Sequence, residues 1–300
     1  MKSILDLFSG IGGFTLGLEK SNYFKTKCFC EIEPYCQKVL KKNYPDVPII
    51  QDIRLFHPKQ GEYDVMCGGS PCQDISIAGK FIGGIDGKKS GLWAEYKRII
   101  NEGKPTYAII ENVSALINRG LARILRDLAE IGYDATWTTY DSKYFGVPQR
   151  RRRVFIVAFR NGIPAGADLF QFKERDCARL QSKMATVDSQ FESHFAEKHT
   201  GRQISFFTHQ RSNQLAECGV SSTLAKRDYK SATDLVLDRY IRRVTPVERL
   251  RLQGFPDDWF DGCDLSVTQK FTCNGMTVPV VEYIGTLLRD YDLSLEQSND

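Results

Sequence analysis

The chain has 300 residues, 42% hydrophobic and 26% charged, which matches average globular proteins and argues against disordered or collagen-like chains. This length suits one large domain or two modest ones. The net charge of +4 arises entirely within residues 160–243, where 14 basic residues stand against 10 acidic ones. The placement of this excess favours a polyanionic partner for that segment.

Several classes of protein are excluded by the pattern of apolar residues and cysteines. The longest apolar run in or near the basic segment covers residues 154–159, far short of a membrane span. Lys2 and Asp6 interrupt the N-terminus, so we expect no secretory signal. Nine irregularly spaced cysteines argue against a disulfide framework and favour a reducing, cytoplasmic compartment with free thiols.

The first half of the chain alternates short apolar runs with segments of helical periodicity. Such alternation predicts βαβ units and therefore a mostly parallel sheet with helices on both faces. The predicted strands cover residues 4–8, 28–32, 63–67, 107–110 and 153–159, and the predicted helices cover residues 14–20, 34–43, 92–102 and 121–131.

The alternation fades after Arg160, where a polar stretch with short β-like pieces predicts a smaller irregular and β module. Order returns at Thr245, which with Glu248 forms a capping-box pattern and predicts a helix that stops at Gly254. A last helix is predicted over residues 278–290, with a frayed tail after residue 293. We expect one domain made of residues 1–160 and 272–300, and a second domain with a hinge made of residues 161–271.

Unusual residues follow the predicted strands, and ligands of open parallel sheets bind where strands end. Gly10 and Gly12 predict a tight turn in which the backbone can approach a ligand closely. Thr15 stands where a dinucleotide fingerprint requires a glycine, so a nucleoside is favoured over a pyrophosphate. Glu31 suits two ribose hydroxyls and Asp52 suits an adenine amino group. A nucleoside cofactor is thus favoured over a plain strand–turn–helix.

Cys72 differs from the cysteines of the apolar runs, which we interpret as small buried hydrophobic residues. It follows Pro71 in a glycine-rich segment, and proline stiffens the chain there. A nucleophilic thiolate needs cations nearby, and the basic run of residues 149–153 supplies them. Arg151 and Arg153 share one face of a strand there. The alternative for this run is a solvated charge cluster.

Glu111 stands at the end of the predicted strand 107–110, where it is either a functional acid or a carboxylate paired with a helix terminus. The four histidines have no zinc-ligand spacing with one another or with a cysteine pair. We therefore predict no metal site.

Taken in order, these groups resemble the DNA (cytosine-5) methyltransferase family over most of the chain, except in the middle module. The Pro-Cys-Gln and Glu-Asn-Val groups, followed by the Gln-Arg run, are highly specific, whereas the glycine turn alone is not. The matching positions are residues 6–14, 70–73, 111–113, 149–153 and 249–256, and Asn274.

The resemblance implies a Rossmann-like class I methyltransferase domain of the α/β class, with a smaller irregular and β target-recognition domain. It implies methyl transfer from S-adenosyl-L-methionine (SAM) to C5 of a cytosine flipped out of a specific duplex DNA sequence, leaving S-adenosyl-L-homocysteine. Cys72 would add to C6, while Glu111 and Arg151 would hold the base, with Arg153 beside them. The cofactor residues that it implies are Phe8, Gly10, Ile11, Gly12, Glu31, Ile32, Asp52, Ile53, Pro71, Leu92 and Asn274.

Duplex DNA is the partner that the resemblance implies, in restriction-modification or in protective methylation by an orphan or phage enzyme. A cognate restriction endonuclease would act separately. We expect a monomer in the cytoplasm, at the nucleoid of a bacterium or in a phage-infected cell, without a metal or a membrane. The residues expected to contact DNA are Gln73, Arg211, Gln214, Lys226, Arg227 and Tyr229.

Three alternatives stay open at this point. A tRNA cytosine methyltransferase would share the same motifs, but the long basic middle module favours DNA. A catalytically inactive SAM-binding regulator is disfavoured because Cys72, Glu111 and Arg151 are all retained. A Rossmann oxidoreductase is disfavoured by Thr15 and by the lack of a hydride-transfer constellation.

Overall fold

The chain divides into two compact units in the computed structural model. The first unit consists of Met1–Tyr140, Arg152–Gln171 and Val281–Asp300, and the second of Asp141–Arg151 and Phe172–Val280. The predicted functional division at residues 160 and 272 stays a prediction. The structure describes residues 1–71, 92–164, 169–170, 205–210, 214–218, 221, 223, 234–237, 241–264, 271–272 and 275–298, with the backbone alone for 205–210, 214–218, 234–237, 241–242 and 298.

The described part of the first unit contains a seven-stranded sheet in the order β3-β2-β1-β4-β5-β7-β6. The strands β1 to β5 pair in parallel, whereas β7 runs antiparallel to β5. This is the mostly parallel α/β fold that the sequence predicts. The strands are β1 Lys2–Leu7, β2 Phe24–Cys30, β3 Ile49–Ile50, β4 Val65–Gly69, β5 Tyr107–Val113, β6 Tyr133–Asp141 and β7 Arg152–Arg160.

The helices of the first unit form where apolar residues recur every three or four positions. In Pro34–Asn43, Cys36, Val39 and Leu40 are buried, and Pro34 at the first turn needs no hydrogen-bond acceptor for its nitrogen. The prediction for this helix is confirmed at both ends. The helices are α1 Gly13–Glu19, α2 Pro34–Asn43, α3 Leu92–Gly103, α4 Leu116–Arg119, α5 Leu121–Glu130 and α7 Val278–Ser298, the last beginning in the second unit.

The C-terminal helix α7 runs to Ser298, so the prediction of an end at residue 290 and a frayed tail is wrong. Asp292 explains the added turns, because it accepts hydrogen bonds from the hydroxyl groups of Tyr23, at 2.5 Å, and Tyr107. Lys2 forms an ion pair with the same carboxylate at 3.0 Å. Although burial opposes it, these partners lower the pKa of Asp292. They tie the last turns of the helix to the first unit.

The edge strand β6 was not predicted from the sequence. Its residues do not alternate cleanly between buried and exposed positions, and Trp137 is 41% exposed. An edge strand has one neighbour instead of two, so its side chains carry a weaker burial pattern. The run of threonine, tryptophan and tyrosine after Gly132 is the signal that favours a strand there.

The described part of the second unit contains a four-stranded antiparallel sheet in the order β11-β10-β8-β9. After it comes the helix α6, Pro246–Gln253, which begins with the predicted capping box. Thr245 accepts from the Glu248 nitrogen, and Glu248 accepts from the Thr245 nitrogen at 2.8 Å. The helix ends at Gly254, whose φ of 77° suits glycine. The strands are β8 Ser205–Gln210, β9 Gln214–Cys218, β10 Asp234–Leu237 and β11 Ile241–Arg243.

The described residues show neither a membrane-spanning helix nor a group of metal ligands. They contain no helix long and apolar enough to cross a membrane. They also contain no cluster of three or more His, Cys, Asp or Glu side chains that could hold a metal ion.

Candidate active site

The carboxyl ends of the parallel strands bring together the residues that the sequence singled out in the first unit. The glycine turn follows β1, Glu31 follows β2, and Asp52 follows β3. Pro71 follows β4, and Glu111 lies near the end of β5. Because these strands are parallel neighbours, their ends lie along one edge of the sheet, where ligands of this architecture bind.

The turn after β1 has an unusual backbone. Gly10 and Gly12 have φ angles of 56° and 89°, and Phe8 adopts 53° although it has a side chain. Left-handed backbone in such a residue stores strain of about 1–3 kcal/mol and is typical of ligand-binding segments. The ring of Phe8 lies 5.9 Å from that of Tyr96 on α3, which supports the strained residue.

Glu31 organises this turn through both of its carboxylate oxygens. Oε2 accepts from the Gly10 nitrogen at 2.7 Å, and Oε1 accepts from the Glu33 nitrogen at 2.8 Å. Burial raises the pKa of Glu31, while these backbone hydrogen bonds oppose the shift. The two oxygens together offer about four acceptor sites, so the carboxylate can still accept from a ligand. Its neighbour Ile32 is 64% exposed, an apolar side chain beside a polar group.

Asp6, which is not among the predicted site residues, lies on β1 directly before the same turn and is fully buried. Its Oδ2 accepts from the Thr15 hydroxyl at 2.7 Å, and Thr15 in turn accepts from the Thr26 hydroxyl at 3.0 Å. Burial raises the pKa of Asp6 to about 7, against the hydrogen bonds from Thr15 and the Cys67 thiol, which lower it. A charged residue inside a hydrophobic strand was the signal available in the sequence.

We expect Asp6→Asn to change how stability depends on pH. Between about pH 4 and pH 7 the folded chain holds a proton on Asp6 that the unfolded chain has lost. This stabilisation is complete below about pH 4 and is lost as the pH rises through 7, a change of about 4 kcal/mol. Asparagine does not titrate and still offers Thr15 an acceptor.

The free energy of unfolding of the variant minus that of the wild type should therefore increase from pH 4 to pH 8. Urea denaturation across this range measures the difference. The variant Asp134→Asn, which removes an exposed carboxylate from strand β6, controls for the loss of a surface charge. A difference for Asp6→Asn that is constant with pH would contradict the assignment of this proton.

Asp52 caps the 3₁₀ turn Ile53–Leu55 that follows β3. Its Oδ1 accepts from the Arg54 nitrogen at 3.0 Å, and its Oδ2 accepts from Arg54 Nη2 at 2.6 Å. The hydrogen bonds from the Arg54 side chain lower the pKa of Asp52 to about 2. Ile53 is buried, whereas Leu55 is 81% exposed. The residue predicted to meet an adenine is thus a charged carboxylate already held by its neighbour.

The Glu111 carboxylate is buried and fixed by two neighbouring strands. Its Oε1 lies 3.1 Å from Arg153 Nε on β7, where Arg153 is the register partner of Val113. On β4 the register partner of Glu111 is Gly69, and a Cβ at Gly69 would lie 2.6 Å from Glu111 Oε2. The acid is therefore oriented by a cation on one side and accommodated by a glycine on the other.

Asn112 ties the ends of β4 and β5 together. Its Nδ2 donates to the Ser70 carbonyl oxygen at 3.3 Å, while its Oδ1 accepts from the Val113 nitrogen at 2.9 Å. Ser70 is buried and Pro71 is half-buried. The chain is thus held at the residues that immediately precede Cys72. The sequence motif contained Asn112, but only the strand pairing shows what it contacts.

Arg151 belongs to the second unit and is buried there. Its Nη2 donates to the carbonyl oxygen of Gly275 at 3.0 Å, and its backbone nitrogen donates to Asp141 Oδ1 at 3.0 Å. Arg150 and Arg152 are exposed, in contrast to Arg151 and Arg153, which is the alternation that the sequence predicts.

The remaining predicted site residues lie partly inside and partly outside the described part of the chain. Leu92 begins the helix α3 and is half-buried, and Ile11 is buried within the glycine turn. For Gln214 only the backbone in β9 is described. The residues outside the described part of the chain are Cys72, Gln73, Asn274, Arg211, Lys226, Arg227 and Tyr229.

The comparison with protein families decides the identity of this arrangement. The model of the C-5 cytosine-specific DNA methylases matches residues 2–289. The chain belongs to the C-5 cytosine-specific DNA methylase family. The predicted enzyme class, a DNA (cytosine-5) methyltransferase, is thereby confirmed.

Individual methyltransferases are similar to this methylase over nearly the whole chain. Type II methyltransferase M2.BsuMI of Bacillus subtilis is 32% identical over 299 residues, which cover 94% of this chain and 74% of the relative. Type II methyltransferase M.NgoBI of Neisseria gonorrhoeae is 30% identical, covering 94% of this chain and 91% of the relative. The crystal structure of the S. pombe Dnmt2 methyltransferase has a TM-score of 0.63 at 20% identity, covering 97% of this chain and 99% of that one. This structural similarity supports the methyltransferase fold.

Proposed function

We propose that this methylase transfers the methyl group of SAM to C5 of a cytosine flipped out of a specific duplex DNA sequence, through a covalent adduct between Cys72 and C6. One observation carries the proposal. The Glu111 carboxylate is held by Arg153 and faces the bare backbone of Gly69, at the same sheet edge as the glycine turn and Glu31. A reaction at a nucleobase requires an oriented, buried acid beside the site that binds the nucleoside.

The residues at the ends of β1 and β2 fit the proposed cofactor. The Glu31 carboxylate matches a ribose diol, because its two oxygens together offer about four acceptor sites and the backbone does not use all of them. Phe8 and Ile32 offer apolar contacts for a purine ring, and Ile32 is mostly exposed. The other residues proposed for this pocket are Gly10, Ile11, Gly12, Asp52, Ile53, Pro71, Leu92 and Asn274. When bound, SAM supplies the activated methyl group.

The chemistry proposed for the base follows from its reactivity. Cytosine C5 is a poor nucleophile, and addition of the Cys72 thiolate to C6 makes it electron-rich. In its protonated form, Glu111 can give a proton to ring N3 through one oxygen and accept a hydrogen bond from the exocyclic amino group through the other. Arg153 keeps the carboxylate in place, and Arg151 is proposed to bind O2. After methylation, water accepts the C5 proton, and the C6–sulfur bond breaks to release Cys72.

The biological setting is proposed from the relatives. Several are named Type II methyltransferases, which supports a role in restriction-modification with an endonuclease that acts separately. The basic excess of residues 160–243 supports binding to the DNA backbone, and access to the target base requires that it leave the stack. The monomeric state, the cytoplasmic location and the DNA-contacting residues named from the sequence stay predictions.

The experiment that tests this function is bisulfite sequencing of a plasmid from cells that express the chain. We expect protected cytosines within one short sequence, and none when expression is absent. Incorporation of labelled methyl groups from SAM into purified duplex DNA and into tRNA tests the substrate in parallel. Methylation of tRNA alone would overturn the DNA substrate, and methylation of neither, with SAM still bound, would favour the inactive regulator.

The assignment of Glu31 leads to a prediction about SAM affinity. We expect Glu31→Ala to raise the dissociation constant for SAM at least about tenfold. The variant removes the charged acceptor of the ribose hydroxyls and also the carboxylate that holds the Gly10 nitrogen. Isothermal titration calorimetry measures this affinity. The control is Glu33→Ala, which removes a neighbouring carboxylate. The Glu33 side chain makes no capping hydrogen bond to α2. Equal affinity of Glu31→Ala and the wild type would refute the ribose contact.

A further inference from the structure

Arg98 lies on α3, apart from every motif that identified the family, yet it contacts the turn that follows Asp52. Its Nη2 donates to the Ile53 carbonyl oxygen at 2.7 Å, and its Nη1 donates to the Phe56 carbonyl oxygen at 3.0 Å. One guanidinium group therefore holds both ends of the segment that carries Ile53 and the exposed Leu55. Ile53 of this turn also belongs to the same hydrophobic core cluster as Trp93 and Tyr96 of α3.

Two carboxylates on the same helix orient this guanidinium group. Glu95 accepts from Arg98 Nε at 2.8 Å, and Glu102 accepts from Arg98 Nη1 at 2.9 Å. The ring of His57 also lies within hydrogen-bonding distance of Nη1, at 3.1 Å. An arginine that is fixed from its own helix can act as a rigid clamp, because little side-chain freedom is left to lose.

The turn is short, and it is held by the Asp52 cap and by the buried side chain of Ile53. It contains three residues in 3₁₀ geometry and follows a strand of only two residues. Its backbone hydrogen bonds run from the Leu55 nitrogen to the Asp52 oxygen at 3.1 Å and from the Phe56 nitrogen to the Ile53 oxygen at 3.3 Å. Bonds of this kind are weak in short 3₁₀ segments. Arg98 adds side-chain hydrogen bonds that join both ends of this turn to α3.

We infer that Arg98 is a positioning residue for the adenine side of the SAM pocket. It acts through the carbonyl groups of Ile53 and Phe56 and sets the place of Asp52 and Ile53. This inference rests on the proposed function, because it assumes that Asp52 and Ile53 meet the adenine. Lysine can replace arginine only in part here, since a single ammonium group does not span two carbonyl groups three residues apart.

The test measures binding of S-adenosyl-L-homocysteine and of S-inosyl-L-homocysteine, which lacks the adenine amino group, to Arg98→Ala and Arg98→Lys. We expect Arg98→Ala to weaken binding of the adenosyl compound about tenfold and to reduce the preference over the inosyl compound. The KM for SAM should rise, while kcat and the KM for DNA stay within about threefold of the wild type. Arg98→Lys should weaken binding of the adenosyl compound less than Arg98→Ala does. The lysine variant is used for the measurement if the alanine variant does not fold.

Hydrogen–deuterium exchange of the ligand-free protein gives a readout that does not depend on the cofactor. We expect faster exchange at the amides of Leu55 and Phe56 in both Arg98 variants. Arg126→Ala is the matched control, because Arg126 is an exposed helical arginine whose ion pair with Glu130 spans 4.0 Å.

The possible outcomes separate this inference from the proposed function. A wild type that does not bind the adenosyl compound would overturn the proposed function. A wild type that binds, with unchanged affinity and unchanged exchange in the Arg98 variants, would overturn the inference alone. A lower kcat together with equally higher KM values for SAM and for DNA would also overturn the inference, because changes in all three constants indicate general damage to the fold.

Discussion

Cys72→Ala is expected to abolish methyl transfer, by about 10⁴-fold or more, while SAM binds within about twofold of the wild-type affinity. The reason is chemical: without a thiolate to add at C6, C5 stays too electron-poor to accept a methyl group. Ser70 and Asn112, which hold the preceding segment, are unaffected by the change. Incorporation of methyl groups into duplex DNA measures the loss of transfer, and calorimetric titration with SAM measures the retained affinity.

Covalent trapping on DNA that contains 5-fluorocytosine makes this test more specific. The fluorine blocks release, so the wild type should form an adduct that survives denaturation, and Cys72→Ala should not. Cys263→Ala is the matched control, because Cys263 is a free and partly exposed thiol in the second unit. An adduct in Cys72→Ala, or retention of one hundredth of the activity, would contradict the proposed nucleophile.

Glu111→Gln is expected to lower the single-turnover rate of methylation by about 10²- to 10³-fold. Glutamine has nearly the shape of glutamate and fits beside Gly69, but its amide cannot give a proton to ring N3 and take it back. The ion pair with Arg153 is lost as well, so the orientation of the side chain weakens. The affinity for SAM should stay within about twofold, because the defect lies in the chemical step.

Two further variants distinguish chemistry from local damage at Glu111. Gly69→Ala retains the acid but places a Cβ within 2.6 Å of its present position, so we expect a reduced rate with the carboxyl group intact. Glu130→Gln removes an exposed carboxylate at the end of α5 and should have the wild-type rate. A single-turnover rate for Glu111→Gln close to that of the wild type would remove this residue from the proposed mechanism.

The local elements of this fold were predictable from the sequence because their signals are local. In α2, Pro34 and the spacing of Cys36, Val39 and Leu40 define the helix within ten residues. The capping box at Thr245 defines the start of α6 in the same way. The end of α7 was not predictable, since Asp292 is held by partners more than 180 residues away. The edge strand β6 is not predictable from the pattern of apolar residues, because a strand with a neighbour on one side only has a weaker burial pattern.

The sequence predicts which residues lie in the candidate site, but not which atoms those residues contact. Parallel strands place their carboxyl ends along one edge, so Glu31, Asp52 and Glu111 were expected together. Their actual partners depend on strand order and register. The Arg153 contact exists because β7 lies antiparallel beside β5, and the Gly69 contact exists because β4 lies on its other side. Neither neighbour follows from spacing along the chain.

The sequence by itself determined the family, the α/β class, most helices and strands, and the residue types that the chemistry needs. The tertiary structure alone decided that Glu31 binds the Gly10 nitrogen, that Asp6 is buried with a pKa near 7, and that Arg98 holds the turn after Asp52. The physical reason is range: periodicity and capping act between residues a few positions apart, whereas burial, charge pairing and register join segments that the chain brings together only on folding.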